Sequence, residues 1–161
     1  MKVKPEACEY REWLTYEFVE RGHDHTTVAL EWENLRVPIK ISVDDWVGIY
    51  VANLRDEFRN SQAFTWHTYA DAAEFCLQQH KYLEDGLAWA TKAVNDPFAG
   101  ISNFRKLSIL SQLQALNGKT AEAAATFDRA VASSDATPPQ VHQYARSLML
   151  AGDNAGAKRI F

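Results

Sequence analysis

An internal repeat in the last third of the chain constrains the fold more than any other feature. Three pairs of identical residues share one offset in the sequence: Gly118 and Gly152, Ala123 and Ala157, and Phe127 and Phe161. Three coincident offsets are improbable by chance, so the pattern predicts consecutive copies of one supersecondary unit.

Each copy is predicted to be a pair of helices. The buried positions of the first copy, residues 104–137, fall on both sides of a glycine: Leu107, Leu110 and Ser111, then Ala123, Phe127 and Ala130. Small residues let the two helices approach closely, and Gly118 suits the left-handed end of the first helix. Thr137 and Gln140 form a capping box that starts the next pair. A helix pair that recurs at the offset from Gly118 to Gly152 has the period of the tetratricopeptide repeat.

A less regular copy precedes these two. Its small residues lie on helices predicted over 66–80 and 83–95: Ala73, then Gly86, Ala90 and Ala93. Ala90 stands where the aromatic residue belongs, as is common in terminal repeats. Residues 61–161 are therefore predicted to form a tetratricopeptide-like α–α superhelix.

The part of the chain before the repeats alternates between apolar and other side chains, which is the period of a β-strand. The apolar sets are Leu14, Tyr16 and Phe18 in 11–20, Val28, Leu30 and Trp32 in 26–33, and Val37, Ile39, Ile41 and Val43 in 36–43. Turns at 22–25 and at Asn34-Leu35 would join them. The expected result is a short three-stranded antiparallel β-meander with one apolar face.

A helix over 44–59 is expected to cover that face, because a small sheet with one apolar side is not stable alone. Its apolar residues recur every three or four positions: Val47, Tyr50, Val51, Leu54 and Phe58. The predicted class is α+β, mainly α. Residues 1–60 form the meander and its helix, and residues 61–161 form the helical repeats, packed together as one unit.

Four segments, in order, resemble a bacterial family catalogued as domain of unknown function 2911. They are EWLTYEF (12–18), VALEWENLRVPI (28–39), FTWHTYADAAEFCLQ (64–78) and LEDGLAWATKA (83–93). The resemblance covers essentially the whole chain and corresponds to the family's C-terminal portion, a β-rich domain followed by tetratricopeptide-like helices. It implies a longer β-domain upstream, often behind an export signal, of which residues 1–60 would be the tail. The family has no established activity, so it supplies no site residue.

Charge and hydropathy exclude several function classes. Seventeen basic and 21 acidic residues give a net charge of −4, which argues against a nucleic-acid partner. No apolar run approaches the length of a membrane span. Trp32, Trp46 and Trp66 lie on predicted apolar faces, so core packing is expected for them rather than base stacking.

Two clusters could carry chemistry, and packing explains both more simply. His23 and His25, with Glu20 nearby, could bind Zn²⁺ or Ni²⁺, but a third ligand at a recognised spacing is missing. Cys76 and His80 share a helix face, yet position 76 needs a small buried side chain. No catalytic, cofactor-binding or metal-binding residue is therefore predicted.

The remaining candidate is the groove lined by the first helix of each pair. Its predicted residues are Arg105, Ser108, Gln112, His142, Arg146 and Met149. This mildly basic lining favours an acidic or C-terminal peptide. Ser108 and Gln112 depart from the Lys/Asn pattern of the carboxylate-clamp subfamily. The alternative is a solvated face without a ligand.

The predicted function is a non-catalytic protein-interaction or assembly module of a bacterial protein, with a protein or peptide partner and no cofactor. The alternative is a support region for an enzyme or ligand-binding protein whose site lies in an upstream β-domain. Self-association is a third interpretation. The compartment stays open between two expectations: a soluble cytoplasmic protein for a complete chain, and an exported or periplasmic one for a fragment of the longer protein.

Overall fold

The computed structural model describes residues 2–59, 66–97, 100–150 and 154–160. In this part of the chain, an antiparallel sheet precedes seven helices, which confirms the mainly helical α+β class. The chain divides into two compact units, Met1–Tyr50 and Val51–Phe161, and the division falls inside the first helix. Tyr16, Phe18 and Trp32 on the apolar face are each more than half exposed, so the predicted cover of that face by this helix is not found.

The first unit is built on strands β1 (Glu6–Arg21) and β2 (His25–Ser42). The connecting turn is at the predicted place, since the Gly22 amide donates to the His25 carbonyl at 2.8 Å. Phe18 lies opposite Val28, and Tyr16 lies opposite Leu30. These four side chains therefore share one face of the sheet.

The sheet has two strands where three were predicted, because residues 25–42 form one continuous strand. This strand folds back on itself. The Val43 amide donates to the Asp24 carbonyl at 2.7 Å, so the two ends of β2 meet. An extended strand of 18 residues would separate its ends by about 60 Å. Glu33 near its middle has a left-handed φ of 51°, close to the predicted turn at Asn34.

The burial of the two sheet faces is the reverse of the expectation. Thr27, Ala29 and Glu31 of β2 are buried, whereas Trp32 on the apolar face is 57% exposed. Glu31 accepts hydrogen bonds from Arg11 Nε at 3.0 Å and Arg36 Nε at 2.6 Å. Long polar side chains therefore close the polar face, and the predicted core role of Trp32 is wrong.

Seven helices follow the sheet in the described part of the chain, and the helices predicted over 44–59, 66–80 and 83–95 agree with the first three within two residues at each end. Their bounds are α1 Trp46–Glu57, α2 Trp66–Gln79, α3 Leu83–Asn95, α4 Phe104–Leu116, α5 Thr120–Val131, α6 Pro138–Leu150 and α7 Asn154–Ile160. The offset between the starts of α4 and α6 equals that between the starts of α5 and α7, and it is the offset of the sequence repeat. Gly152, Phe161 and the side chain of Trp66 lie outside the described residues.

Small side chains permit close helix packing in the second unit. Ala73, Cys76, Ala90 and Ala93 of α2 and α3 are each at most 1% exposed. A Cβ added to Gly86 on α3 would lie 2.8 Å from the Cβ of Cys76. The two helices are therefore in contact at a point where only glycine fits.

The loops between helices contribute specific hydrogen bonds. Gly118 has a φ of +80°, as predicted for the end of α4. The Gln140 side chain accepts a hydrogen bond from the Thr137 amide at 2.9 Å at the start of α6, as a capping box requires. The Asp135 carboxylate, between α5 and α6, accepts the Phe104 amide at 3.0 and 3.1 Å. This contact satisfies an N–H group at the start of α4.

Candidate functional site

The predicted groove residues lie at equivalent positions on two helices. Arg105, Ser108 and Gln112 are on α4, and His142, Arg146 and Met149 are on α6. Since the starts of α4 and α6 are related by the repeat offset, Ser108 corresponds to His142 and Gln112 to Arg146. The two helices nevertheless present these positions to different environments.

Arg105 is bound by two carboxylates of α2. Its guanidinium donates to Asp71 at 2.8 Å and makes a short contact with Glu74. These hydrogen bonds raise the pKa of Arg105. All three side chains remain at least one third exposed, so the group is a surface ion-pair cluster. Its net charge is −1, which removes the basic character that was predicted for this half of the groove.

Ser108 is buried, and its accessibility to a partner was predicted wrongly. Its hydroxyl donates to the Phe104 carbonyl of the preceding turn at 2.7 Å. Gln112 is half-buried and donates to the Ser108 carbonyl at 3.3 Å. Both polar groups thus bond to their own helix.

Helix α6 carries an exposed stripe formed by His142, Arg146 and Met149. The three residues are spaced by four and three positions, so they share one side of the helix. All are exposed, and the next residue, Leu150, is 82% exposed. The stripe combines a guanidinium, an imidazole and a thioether on one surface.

The opposite side of α6 is held by a buried aromatic pair. Phe127 of α5 stacks on Tyr144 with ring centres 4.2 Å apart and planes 11° apart. Phe127 therefore packs against the first helix of the next pair. The Ser111 hydroxyl donates to the Ala123 carbonyl at 2.8 Å and lies 3.0 Å from the Tyr144 hydroxyl. Because Ser111 has one hydrogen, Tyr144 is the donor between the two hydroxyls.

A shallow pocket of about 370 Å³ lies beside the stripe and shares His142 with it. The other lining residues are mainly apolar: Val131, Ala136, Thr137, Pro138, Val141 and Ile160. Because the pocket is shallow and open to solvent, it suits an apolar side chain of a partner rather than an enclosed cofactor.

The histidines at the β1–β2 turn make separate contacts. His23 stacks on Trp46 with ring centres 5.7 Å apart. His25 Nδ1 lies 2.7 Å from Asp24, and its Nε2 lies 3.3 Å from Glu20. Among the described residues, no group of three or more His, Cys, Asp or Glu side chains could hold a metal ion. The turn is therefore organised by stacking and ion pairing.

The pKa of His25 is expected to lie above 6.5, because hydrogen bonds to Asp24 and then Glu20 stabilise the imidazolium. The resulting stabilisation is complete below pH 6.5, the unfolded value, and is lost as the pH rises through the folded pKa. NMR titration of the His25 ring protons measures this pKa, with the chain in urea as the reference. Asp24→Asn should lower it, and equal pKa values in the folded and unfolded chain would contradict the assignment.

Cys76 and His80 do not form a nucleophile pair. Cys76 is fully buried, and burial raises the pKa of its thiol to about 11. His80 is exposed, has a φ of 51° and lies 3.3 Å from the Gln78 carbonyl. The packing role predicted for Cys76 is confirmed.

One buried charge was not predicted from the sequence. Lys106 on α4 is 1% exposed, and its ammonium donates to the Ile101 carbonyl at 2.5 Å. Burial lowers its pKa to about 8. The adjacent Arg105 is exposed, so residue type alone did not distinguish the two cations.

Comparisons with protein-family models, curated proteins and solved structures found no match for this chain. None of the helices in the described ranges has the length and hydropathy needed to cross a membrane.

Proposed function

We propose that the helical unit is a non-catalytic interaction module of tetratricopeptide-like repeats that binds an acidic peptide along α6. The exposed stripe of His142, Arg146 and Met149 carries this proposal. Among the described residues, Arg146 takes part in no ion pair, so its guanidinium is available to a carboxylate of a partner.

The pocket beside the stripe supports a peptide with an apolar anchor. His142 borders both the stripe and the pocket of about 370 Å³. A peptide that places a carboxylate on Arg146 can therefore place an apolar side chain against Val131 and Val141. This arrangement gives charge recognition and shape recognition on one surface.

The ion-pair cluster on α2 and α4 determines which end of the groove the acidic residues of the peptide occupy. Arg105 is already shared by Asp71 and Glu74, so this end of the groove is net negative. An acidic segment is repelled there and attracted to α6. The proposal accordingly assigns the carboxylates of the ligand to the α6 end.

The test is selection of binding peptides from a random displayed library, followed by fluorescence anisotropy of the synthesised sequences. We expect enrichment of Asp or Glu next to an apolar residue. Arg146→Glu should weaken binding of the enriched peptide at least tenfold, which corresponds to about 1.4 kcal/mol. Added salt should weaken binding as well.

Arg129→Glu on α5 is the matched control, because Arg129 is also an exposed arginine of the helical unit. It should change the dissociation constant less than twofold. Circular dichroism should show the same helix content in both variants. Enrichment of basic peptides would contradict the proposal, and so would an equal loss of peptide affinity in the Arg146 and Arg129 variants.

A further inference from the structure

The apolar face of the sheet is an exposed hydrophobic feature of the first unit. Phe18 and Tyr16 share this face with Val28 and Leu30, because they are direct cross-strand neighbours. Tyr16 is 69% exposed and Phe18 is 56% exposed. A folded sheet normally buries such a face against a second layer.

The returning half of β2 contributes to the same face. Arg36 bonds to Glu31 at 2.6 Å, which places Arg36 on the polar side of the sheet. Strand alternation then puts residues 37, 39, 41 and 43 on the apolar side, with Leu30 and Trp32. Ile41 is 52% exposed and Val43 is 40% exposed.

The area and chemistry of this face match one half of a protein interface. Its positions are Leu14, Tyr16, Phe18, Val28, Leu30, Trp32, Val37, Ile39, Ile41 and Val43, and none carries a carboxylate, amine, guanidinium or imidazole. The exposed part amounts to about 600–800 Å², given that a fully exposed aromatic side chain presents about 150–250 Å². A typical monomer has a largest apolar patch of about 300–600 Å², and a standard interface buries about 800 Å² per partner.

We propose that the occupant of this face is a second copy of the same chain, packed face to face across a two-fold axis. An identical sheet has the matching area and apolar character, and it supplies the missing layer at the usual spacing of about 10 Å. The Arg21 guanidinium also lies on this face, 4.9 Å from the centre of the Phe18 ring. A basic partner would leave its charges buried without counter-ions, because none of the ten positions of this face carries a carboxylate. Edge pairing through β1 is opposed by the irregular register between Arg11 and Thr15.

Sedimentation equilibrium of the full chain between about 1 and 200 µM tests the proposal. The mass should rise from that of one chain to that of two and stay there, because an isologous interface closes. Ile41→Lys should raise the dissociation constant at least 100-fold. Ile49→Lys is the matched control, since Ile49 lies in the same unit and is 53% exposed, and it should change the constant less than threefold.

The wild-type measurement keeps the test decisive if a variant fails to fold. A wild-type chain that remains monomeric at the highest concentration would overturn the proposal. A mass that grows beyond two chains would overturn it as well. The same holds if Ile41→Lys and Ile49→Lys raise the dissociation constant equally.

Discussion

Phe127→Ala is expected to lower the free energy of unfolding of the helical unit by about 3–5 kcal/mol. Phe127 is 4% exposed and stacks on Tyr144 at 4.2 Å, so truncation leaves a cavity between α5 and α6. The loss of ring stacking adds to the loss of buried apolar area. Urea unfolding followed by far-ultraviolet circular dichroism measures the change.

Two control variants separate the ring from its surroundings. Tyr144→Phe keeps the stacked pair and removes one hydrogen bond to Ser111, so we expect a loss of about 1 kcal/mol. Val131→Ala, at the exposed end of α5, should change stability by less than about 0.5 kcal/mol. If Phe127→Ala lowers the free energy of unfolding no more than Tyr144→Phe does, the Phe127 ring does not stabilise the contact between the helix pairs.

Gly86→Ala is expected to destabilise the helical unit by about 1–3 kcal/mol, although alanine is the better helix former. The added methyl would lie 2.8 Å from Cys76 Cβ and 3.1 Å from Leu113 Cδ2. Helix propensity alone predicts a gain of about 1 kcal/mol, so the two explanations differ in sign. The same urea titration decides between them.

Relief of the clash provides the control. Cys76→Gly removes the Cβ that meets the new methyl, so the double variant should lose less stability than the sum of the single changes. Gly118→Ala has open space around it and tests only the strain of a φ of +80°, at a cost of about 1 kcal/mol. Additive effects of the Cys76 and Gly86 substitutions would contradict the close helix contact.

The helical half was predictable because its positions demand a particular side-chain size. Gly118 needs a left-handed φ, Gly86 and Ala90 need a small volume, and Phe127 needs a large one. At Gly118, Ala123 and Phe127 such requirements leave residue identities that recur at one offset in the sequence.

The environment of α4 could not be predicted because this helix is buried on almost every side. Nine of its 13 residues are buried, including Lys106, Ser108 and Ser111. A helix surrounded in this way has no single apolar stripe, so its pattern does not reveal which polar residues are exposed. The placement of Ser108 in the groove failed for this reason, whereas α6, with two buried residues, kept its exposed stripe.

In the sheet, alternation predicted the strands but not the buried face. Apolar side chains on one face normally mark the inside. Here Glu31 is covered by Arg11 and Arg36. Arg11 lies on β1, and Arg36 lies on the returning half of β2. Their meeting depends on the bulged register and on the reversal of β2, neither of which the alternation specifies.

The contact of Asp135 with the Phe104 amide determines where this protein can be shortened. Asp135 lies after α5, yet its carboxylate satisfies the first turn of α4, far earlier in the chain. A truncated chain that ends at Val131 would retain both helices of the pair but lose the acceptor that begins the first. A shortened chain that keeps this contact must therefore extend at least to Asp135, past the last residue of α5.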